Sequence, residues 1–238
     1  MSAASAKRTP GDGGRLHRDA IVDAAISVAD ADGINALSMR RVADELGVGA
    51  MSLYRHIDDK DALLQAMAEA IGRRYPYPVT QDWPWRRRVE AAVEIDWELY
   101  RDHPWVVLIY STPRYSFGAD SLEGLDWLAG GFLQLDVDIV RATEMGIAVW
   151  NLVNGIVLAT VGESLLSGEA PGEVPGGLAD ILAGRVEVAL PHLAALVGDD
   201  AAHRLLDARA SLDAGLAYLC AGFEAAAEVE GGAGAARG

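Results

Sequence analysis

Apolar residues recur along this 238-residue chain at the 3.6-residue spacing of helices nearly everywhere, and no stretch alternates as a β-strand would. The pattern predicts an all-α protein. Ile21, Ala24, Ala25 and Val28 form one face of a first helix that stops near Asp32-Gly33. Ser38 is a good N-cap for a second helix, with Val42, Ala43 and Leu46 at helical spacing behind it. Gly47 can take the left-handed conformation that ends this helix and turns the chain sharply. A third helix of about seven residues follows, too short to be stable without tertiary packing. On it, Val48 and Leu53 plug the angle between helices while Ser52, Tyr54, Arg55 and His56 point outward. Asp58 is expected to cap a fourth helix, with Asp61 as its capping-box partner and Leu63, Leu64, Met67, Ala68 and Ile71 inside. Tyr75-Pro76-Tyr77-Pro78 breaks that helix and marks a domain boundary.

Beyond the boundary, Trp85–His103 reads as a long amphipathic helix with Val89, Ala92, Val93, Trp97 and Tyr100 on one side. Pro104 and Pro113 bracket a short apolar helix, Trp105–Tyr110, and another is expected from about Ala119 to Leu135. Asp138–Ser164 is apolar on nearly all faces and must be buried all round. Its most apolar part, Gly146–Gly162, carries Asn151 and Asn154 and is shorter than the roughly 20 residues a bilayer demands, so a buried helix is expected and no membrane. Residues 167–177 hold four glycines and two prolines and read as a loop. Helices at about Leu178–Leu196 and Asp200–Glu228 complete the body, ahead of a Gly/Ala-rich tail expected to be disordered.

A sharp glycine turn between two short helices, the second offering polar, aromatic and basic groups, is the layout of a helix-turn-helix module that reads a DNA major groove. Charge places that module at one end of the chain. Residues 1–74 carry 10 Lys and Arg against 11 Asp and Glu, whereas residues 75–238 carry 10 against 24. A net charge of −15 repels DNA overall, so contact is confined to the near-neutral N-terminal part. Lys7, Arg8, Arg15 and Arg18 could form a basic arm for the DNA backbone, or an ordinary solvated tail. Cys220 is the only cysteine, which excludes an intrachain disulfide and suits a reducing cytoplasm. No signal core appears at Met1–Gly14.

The run Ser-Met-Arg-Arg-Val-Ala…Leu-Gly-Val…Leu-Tyr-Arg-His-Ile…Lys-Asp-Ala-Leu-Leu at positions 38–64 resembles the tetracycline-repressor (TetR) family of bacterial regulators. The resemblance continues more weakly through the rest of the chain. It implies a disordered arm (1–14), a three-helix helix-turn-helix DNA-binding domain (15–74), a larger helical ligand-binding and dimerisation domain (75–229) and a disordered tail (230–238). It further implies a homodimeric repressor that binds a palindromic operator in double-stranded DNA and is released by a small-molecule inducer. Residue by residue, it brings Ser38 and Arg40 to the DNA, with Arg40 on a phosphate or a guanine edge. Ala50, Met51, Ser52, Tyr54, Arg55 and His56 would form the groove-facing surface, and Lys60 would pair with a phosphate. Arginine can hold guanine in bidentate fashion, worth about 1–3 kcal/mol of discrimination. The competing roles are packing for Tyr54, C-terminal capping for His56 and a core position for Met51.

Dimerisation in the family pairs the two most apolar body helices with their copies. Here that would use Leu205, Leu212, Leu216, Leu219 and Phe223 on the last helix. Tetracycline itself is held in the family's namesake through a magnesium ion, a histidine and an assisting acidic group. The segment Val107–Pro113 offers neither histidine nor carboxylate, and Ala159 stands where the acidic group would. No metal or other cofactor is therefore expected. The remaining lining is aromatic and apolar: Trp97, Trp105, Ile109 and Tyr110, then Trp127 and Trp150, with Asn151 and Asn154 as polar hooks. Such a wall favours a flat or greasy neutral ligand, although aromatics at helical spacing are also ordinary core. The scattered histidines and the lack of a Gly-rich phosphate loop speak against an enzyme. The alternative is a helical ligand-binding or adaptor protein without sequence-specific DNA binding.

Overall fold

The computed structural model describes residues 16–167, 177–184, 189–197, 199, 202 and 204–235, with side chains from 163 to 177 and from 230 onward left aside. Eleven α-helices and no strand occur among the described residues: α1 Arg18–Asp32, α2 Met39–Leu46, α3 Ala50–Leu53, α4 Lys60–Arg74, α5 Trp85–Asp102, α6 Val106–Tyr110, α7 Pro113–Ser116, α8 Ala119–Phe132, α9 Ile139–Ser167, α10 Gly177–Ala183 and α11 Ala208–Ala235. The arm 1–14 and most of the expected loop 167–177 lie outside them.

The head packs α1 against α2 and α4 around Ile21, Val42, Leu53, Leu63 and Met67, all fully enclosed. Ser38 caps α2 by accepting the Arg41 N–H at 3.1 Å. Gly47 closes that helix in the left-handed conformation at φ +66. α3 is shorter than the expected seven residues. After Leu53 the chain tightens into a turn in which His56 and Ile57 both donate to the Leu53 carbonyl. Asp59, not Asp58, caps α4, accepting from Ala62 N at 2.7 Å. Asp61 instead meets Arg114 at 2.8 Å and the Tyr115 hydroxyl at 3.0 Å, tying the head to α7.

In the body, α8, α9 and α11 form the main packing layer and α5 lies across α8 and α9. Phe132 is wholly enclosed, with the Phe223 ring edge-on at 5.1 Å. α9 differs from expectation in two ways. Its span Ile139–Gly162, 24 residues, is long and apolar enough to cross a membrane by length and composition. It is also buried on one face only: Ala142, Met145, Val149, Val153 and Val157 point inward, whereas Asn151, Gly155, Leu158 and Ala159 are exposed. The region expected as one helix at 178–196 contains α10 and a 3-10 turn at Leu193–Leu196. α11 runs through to Ala235, past Gly231, Gly232 and Gly234, where a disordered tail was expected from 230.

Arg88 is the one buried charged residue among the described residues. Its guanidinium donates to the Trp83 carbonyl (2.8 Å) and the Trp127 carbonyl (2.7 Å) and pairs with Asp82 at 2.8 Å. It thereby pins the loop before α5 onto α8, and Gly131 leaves it room: a Cβ there would sit 2.8 Å from Arg88 Cδ.

Candidate nucleic-acid interface and ligand cavity

The outer surface of the head carries polar, aromatic and basic side chains on a packed-down helix. Leu53 and Ile57 anchor α3 from below, and Ala50 rests half-buried on the core. Met51 is 78 % exposed and Tyr54 45 %. Those exposures set aside a core place for Met51 and a packing role for Tyr54. Arg55, His56 and Lys60 are exposed, and Arg55 donates to the half-buried Ser52 hydroxyl at 3.2 Å. Two neighbouring arginines on α2 behave differently. Arg41 is engaged by Asp32 and Glu45, both at 2.8 Å, while Arg40 is exposed and unpaired among the described residues. The Ser38 hydroxyl is occupied by its cap. The structure thus presents Arg40, Met51, Tyr54, Arg55, His56 and Lys60 on the surface, with Ser38, Ala50 and Ser52 nearer the packing.

The body holds a cavity of about 150 Å³ between the end of α4, the Tyr75–Val79 segment, α5, α6, α8 and α9. Its wall is phenolic and acidic. The Tyr77 hydroxyl donates to the Asp96 carboxylate, at 2.8 and 2.9 Å from its two oxygens, and accepts from Trp150 Nε1 at 2.9 Å. The Tyr100 hydroxyl donates to the Asn154 side-chain carbonyl. Tyr110 donates to the backbone carbonyl of Ala68 on α4 at 3.1 Å. Gly124 on α8 lets the Tyr77 ring lie flat against the helix, since a Cβ there would come within 2.9 Å of the ring. Burial pushes the Tyr77 and Tyr100 phenols well above their ordinary range. It also drives the Asp96 carboxyl up to about 7, against the opposing pull of the Tyr77 hydrogen bond.

Of the residues expected to line a pocket, Tyr110, Trp150 and Asn154 do so. The other five lie elsewhere. Trp105 is buried at the joint between head and body, its indole N–H donating to Asp30 of α1 at 2.6 Å, beside His103 Nδ1 at 2.7 Å from the same oxygen. Ile109 faces the core from the far side of α6. Trp97 sits under Arg209, whose guanidinium carbon lies 5.9 Å from the ring centre. Trp127 is buried behind the cavity wall, donating to the Gln81 carbonyl at 3.0 Å. Asn151 is exposed on α9, whereas Asn154, one turn on, is half-buried and lines the cavity. The sequence reading also missed Tyr75, Tyr77, Asp96 and Tyr100 as lining residues. Asp96 within the amphipathic run 85–102, on the side with Val89, Ala92, Val93 and Tyr100, was the available signal.

The expected dimer stripe is likewise redistributed. Leu212 and Phe223 are buried inside the subunit, Leu216 and Leu219 are half-buried, and Leu205 precedes α11. The exposed side of α11 carries Ala214, Ala217, Tyr218, Ala221, Gly222 and Ala225 instead, with Tyr218 78 % exposed.

A helix-turn-helix head with an exposed reading face, set on a hollow helical body, defines a DNA-binding transcriptional regulator. Residues 21–67 match the family described as bacterial regulatory proteins, tetR family. An HTH-type transcriptional regulator of Saccharopolyspora erythraea is 34% identical over 220 residues, 90% of this chain and 87% of that protein. The HTH-type transcriptional repressor DrrR1 of Streptomyces coeruleorubidus is 40% identical over 112 residues, which span 47% of this chain and only 41% of that protein. Among solved structures, the Streptomyces coelicolor TetR family protein ActR in complex with actinorhodin superposes with a TM-score of 0.73 at 25% identity, covering 90% of this chain and 97% of that one. The chain belongs to the tetR family of bacterial regulators.

Proposed function

We propose that the protein is a homodimeric repressor that grips a palindromic operator with two copies of the α3 face and lets go when a small molecule fills the cavity. The observation that carries this reading is the shared wall. Gly72 and Tyr75, at the end of α4, line the cavity, and Tyr110 holds the Ala68 carbonyl of the same helix. α4 also packs on α1 in the head. A ligand that prefers one position of α4 therefore biases the position of the reading face, and release follows only from that difference in affinity. The solved relative that holds actinorhodin supports a ligand role for the body.

In this reading Arg55 and Arg40 supply guanine or phosphate contacts, Tyr54 and Lys60 grip the backbone, Met51 offers apolar contact, and His56 with Ser52 completes the groove surface. The partner for the exposed faces of α9 and α11 is a second copy of the chain. Small residues there, Gly155 and Ala159 on one helix and Ala217, Ala221 and Ala225 on the other, allow close helix approach around Leu158 and Tyr218. Such a dimer covers the apolar half of α9 that one subunit leaves open, and it works where the DNA is, in the cytoplasm.

The test is retention of fragments of the protein's own genome by the purified protein, followed by fluorescence anisotropy across a salt series. A retained fragment with a falling log–log salt slope, about −0.9 per neutralised phosphate, supports the reading. Equal affinity for every duplex of the same length would overturn it.

A further inference from the structure

We infer that the cavity takes an organic cation, an apolar or aromatic body bearing an ammonium group, with Asp96 as its counter-ion. This rests on the reading of the cavity as the ligand site and names the chemistry that site selects.

Three features of the wall point the same way. The first is sign: Asp96, Asp120 and Glu123 line the cavity, and no Lys, Arg or His occurs among its described lining residues. The second is the state of Asp96 itself. An ionised carboxylate offers about four lone-pair sites, yet among the described residues this one receives a single donor, the Tyr77 hydroxyl shared across both oxygens. No Lys, Arg or His among the described residues lines the cavity with it, and burial raises its pKa with only that phenol opposing. A half-buried carboxylate without a counter-charge is costly, and a cationic guest removes that cost. The third is the set of rings. Tyr75, Tyr77, Tyr100, Tyr110 and Trp150 surround the same space, and aromatic faces attract cations where water is excluded. A neutral guest would leave Asp96 either charged and unpaired or forced to hold a proton.

The geometry also assigns the depth of the charge. Glu123 is exposed at the mouth, and of the two half-buried carboxylates it is Asp96 that receives the Tyr77 hydroxyl beside Trp150. The mouth carboxylate steers a cation inward, and Asp96 holds it.

The experiment uses a matched pair in which NH3+ replaces OH on one body: 2-naphthylmethylammonium and 2-naphthylmethanol, titrated into the full-length protein by isothermal calorimetry at pH 6, 7 and 8. At pH 8 the cation should bind at least tenfold more tightly than the alcohol, and its advantage should shrink on going to pH 6 as Asp96 takes up its proton. The other titratable groups facing Asp96 are the phenols of Tyr77, Tyr100 and Tyr110 and the carboxylates Asp120 and Glu123. The variants Asp120→Asn and Glu123→Gln should therefore keep most of the preference and its pH dependence. Asp96→Asn should abolish the preference while changing alcohol affinity less than twofold. Equal binding of the two compounds to the wild-type protein at pH 8, or tighter cation binding at pH 6 than at pH 8, overturns the assignment while leaving the cavity as the ligand site. If neither compound binds, the cavity reading falls and takes the cation assignment with it.

Discussion

The reading face and the cavity wall are both built from tyrosines and charged side chains, and they use them in opposite ways. On the head, Tyr54 is 45 % exposed and its hydroxyl has no partner among the described residues, while Arg40 and Lys60 are likewise unpaired. In the body, Tyr77 serves as acceptor for Trp150 and donor to Asp96, and Tyr100 and Tyr110 each spend their hydroxyl on Asn154 or on the backbone of α4. An unpaired surface group is available to a partner as it stands. A paired group in a cavity is available only if the ligand offers a better bond than the one it displaces. The head is therefore a preformed face, and the cavity is a network that a ligand must break into.

The largest effect expected is on the head. Tyr54→Ala combined with Arg55→Ala should abolish selective binding to the operator fragment, each side chain being worth about 1–3 kcal/mol per half-site. The helical circular-dichroism signal and the melting temperature should stay within the wild-type range, because both side chains are exposed. A collapsed helical signal would show that α3 is held by those side chains rather than by Leu53 and Ile57.

A second expected effect separates the exposed side of α9 from the enclosed side of α11. Leu158→Glu, on its exposed side, should convert a dimer into a species near 25 kDa in sedimentation, with operator affinity falling by about a hundredfold or more as two tethered heads become one. Leu212→Ala, on the enclosed side of α11, should instead lower stability by about 2–5 kcal/mol without changing the oligomeric state. Dissociation by Leu212→Ala alone would invert the assignment of faces.

The smallest effect is the most specific to the cavity. Folding raises the Asp96 carboxyl from 3.8 to about 7, so the native state holds that proton more tightly than the unfolded chain. Its contribution to stability is present below the unfolded value and is lost as pH rises toward and through 7. The Asp96→Asn variant should thus match the wild type near pH 4 and melt several degrees higher at pH 8, a gain of at most about 4 kcal/mol, reduced by the solvent that reaches the cavity. A wild-type advantage at pH 8 would mean that Asp96 has a stabilising partner.

Much of the head was legible in the sequence. Ser38, Gly47, Leu53 and the exposed Tyr54 and Arg55 all act through neighbours within a few positions, so local rules reach them. The cavity was not legible in that way. Tyr77 meets Asp96 across 19 residues and Trp150 across 73, and Tyr100 meets Asn154 across 54. No local periodicity encodes those pairings. The same limit misplaced Trp105, a joint to Asp30 of α1, and it assigned Leu212 and Phe223 to a partner when their own subunit encloses them. Asp96, which shares the space of the aromatic rings, was not among the residues expected to line it. Helical spacing identifies an apolar stripe, but which neighbour covers it is decided by the tertiary packing.

The coupling of cavity to head is tested most directly by one linkage measurement: the affinity of 2-naphthylmethylammonium for the free protein and for the protein saturated with its operator fragment. The account predicts weaker binding to the DNA-bound form, by the same factor as saturating cation weakens the DNA complex, in the range of about 5–150-fold. Equal affinity for the two forms would contradict it.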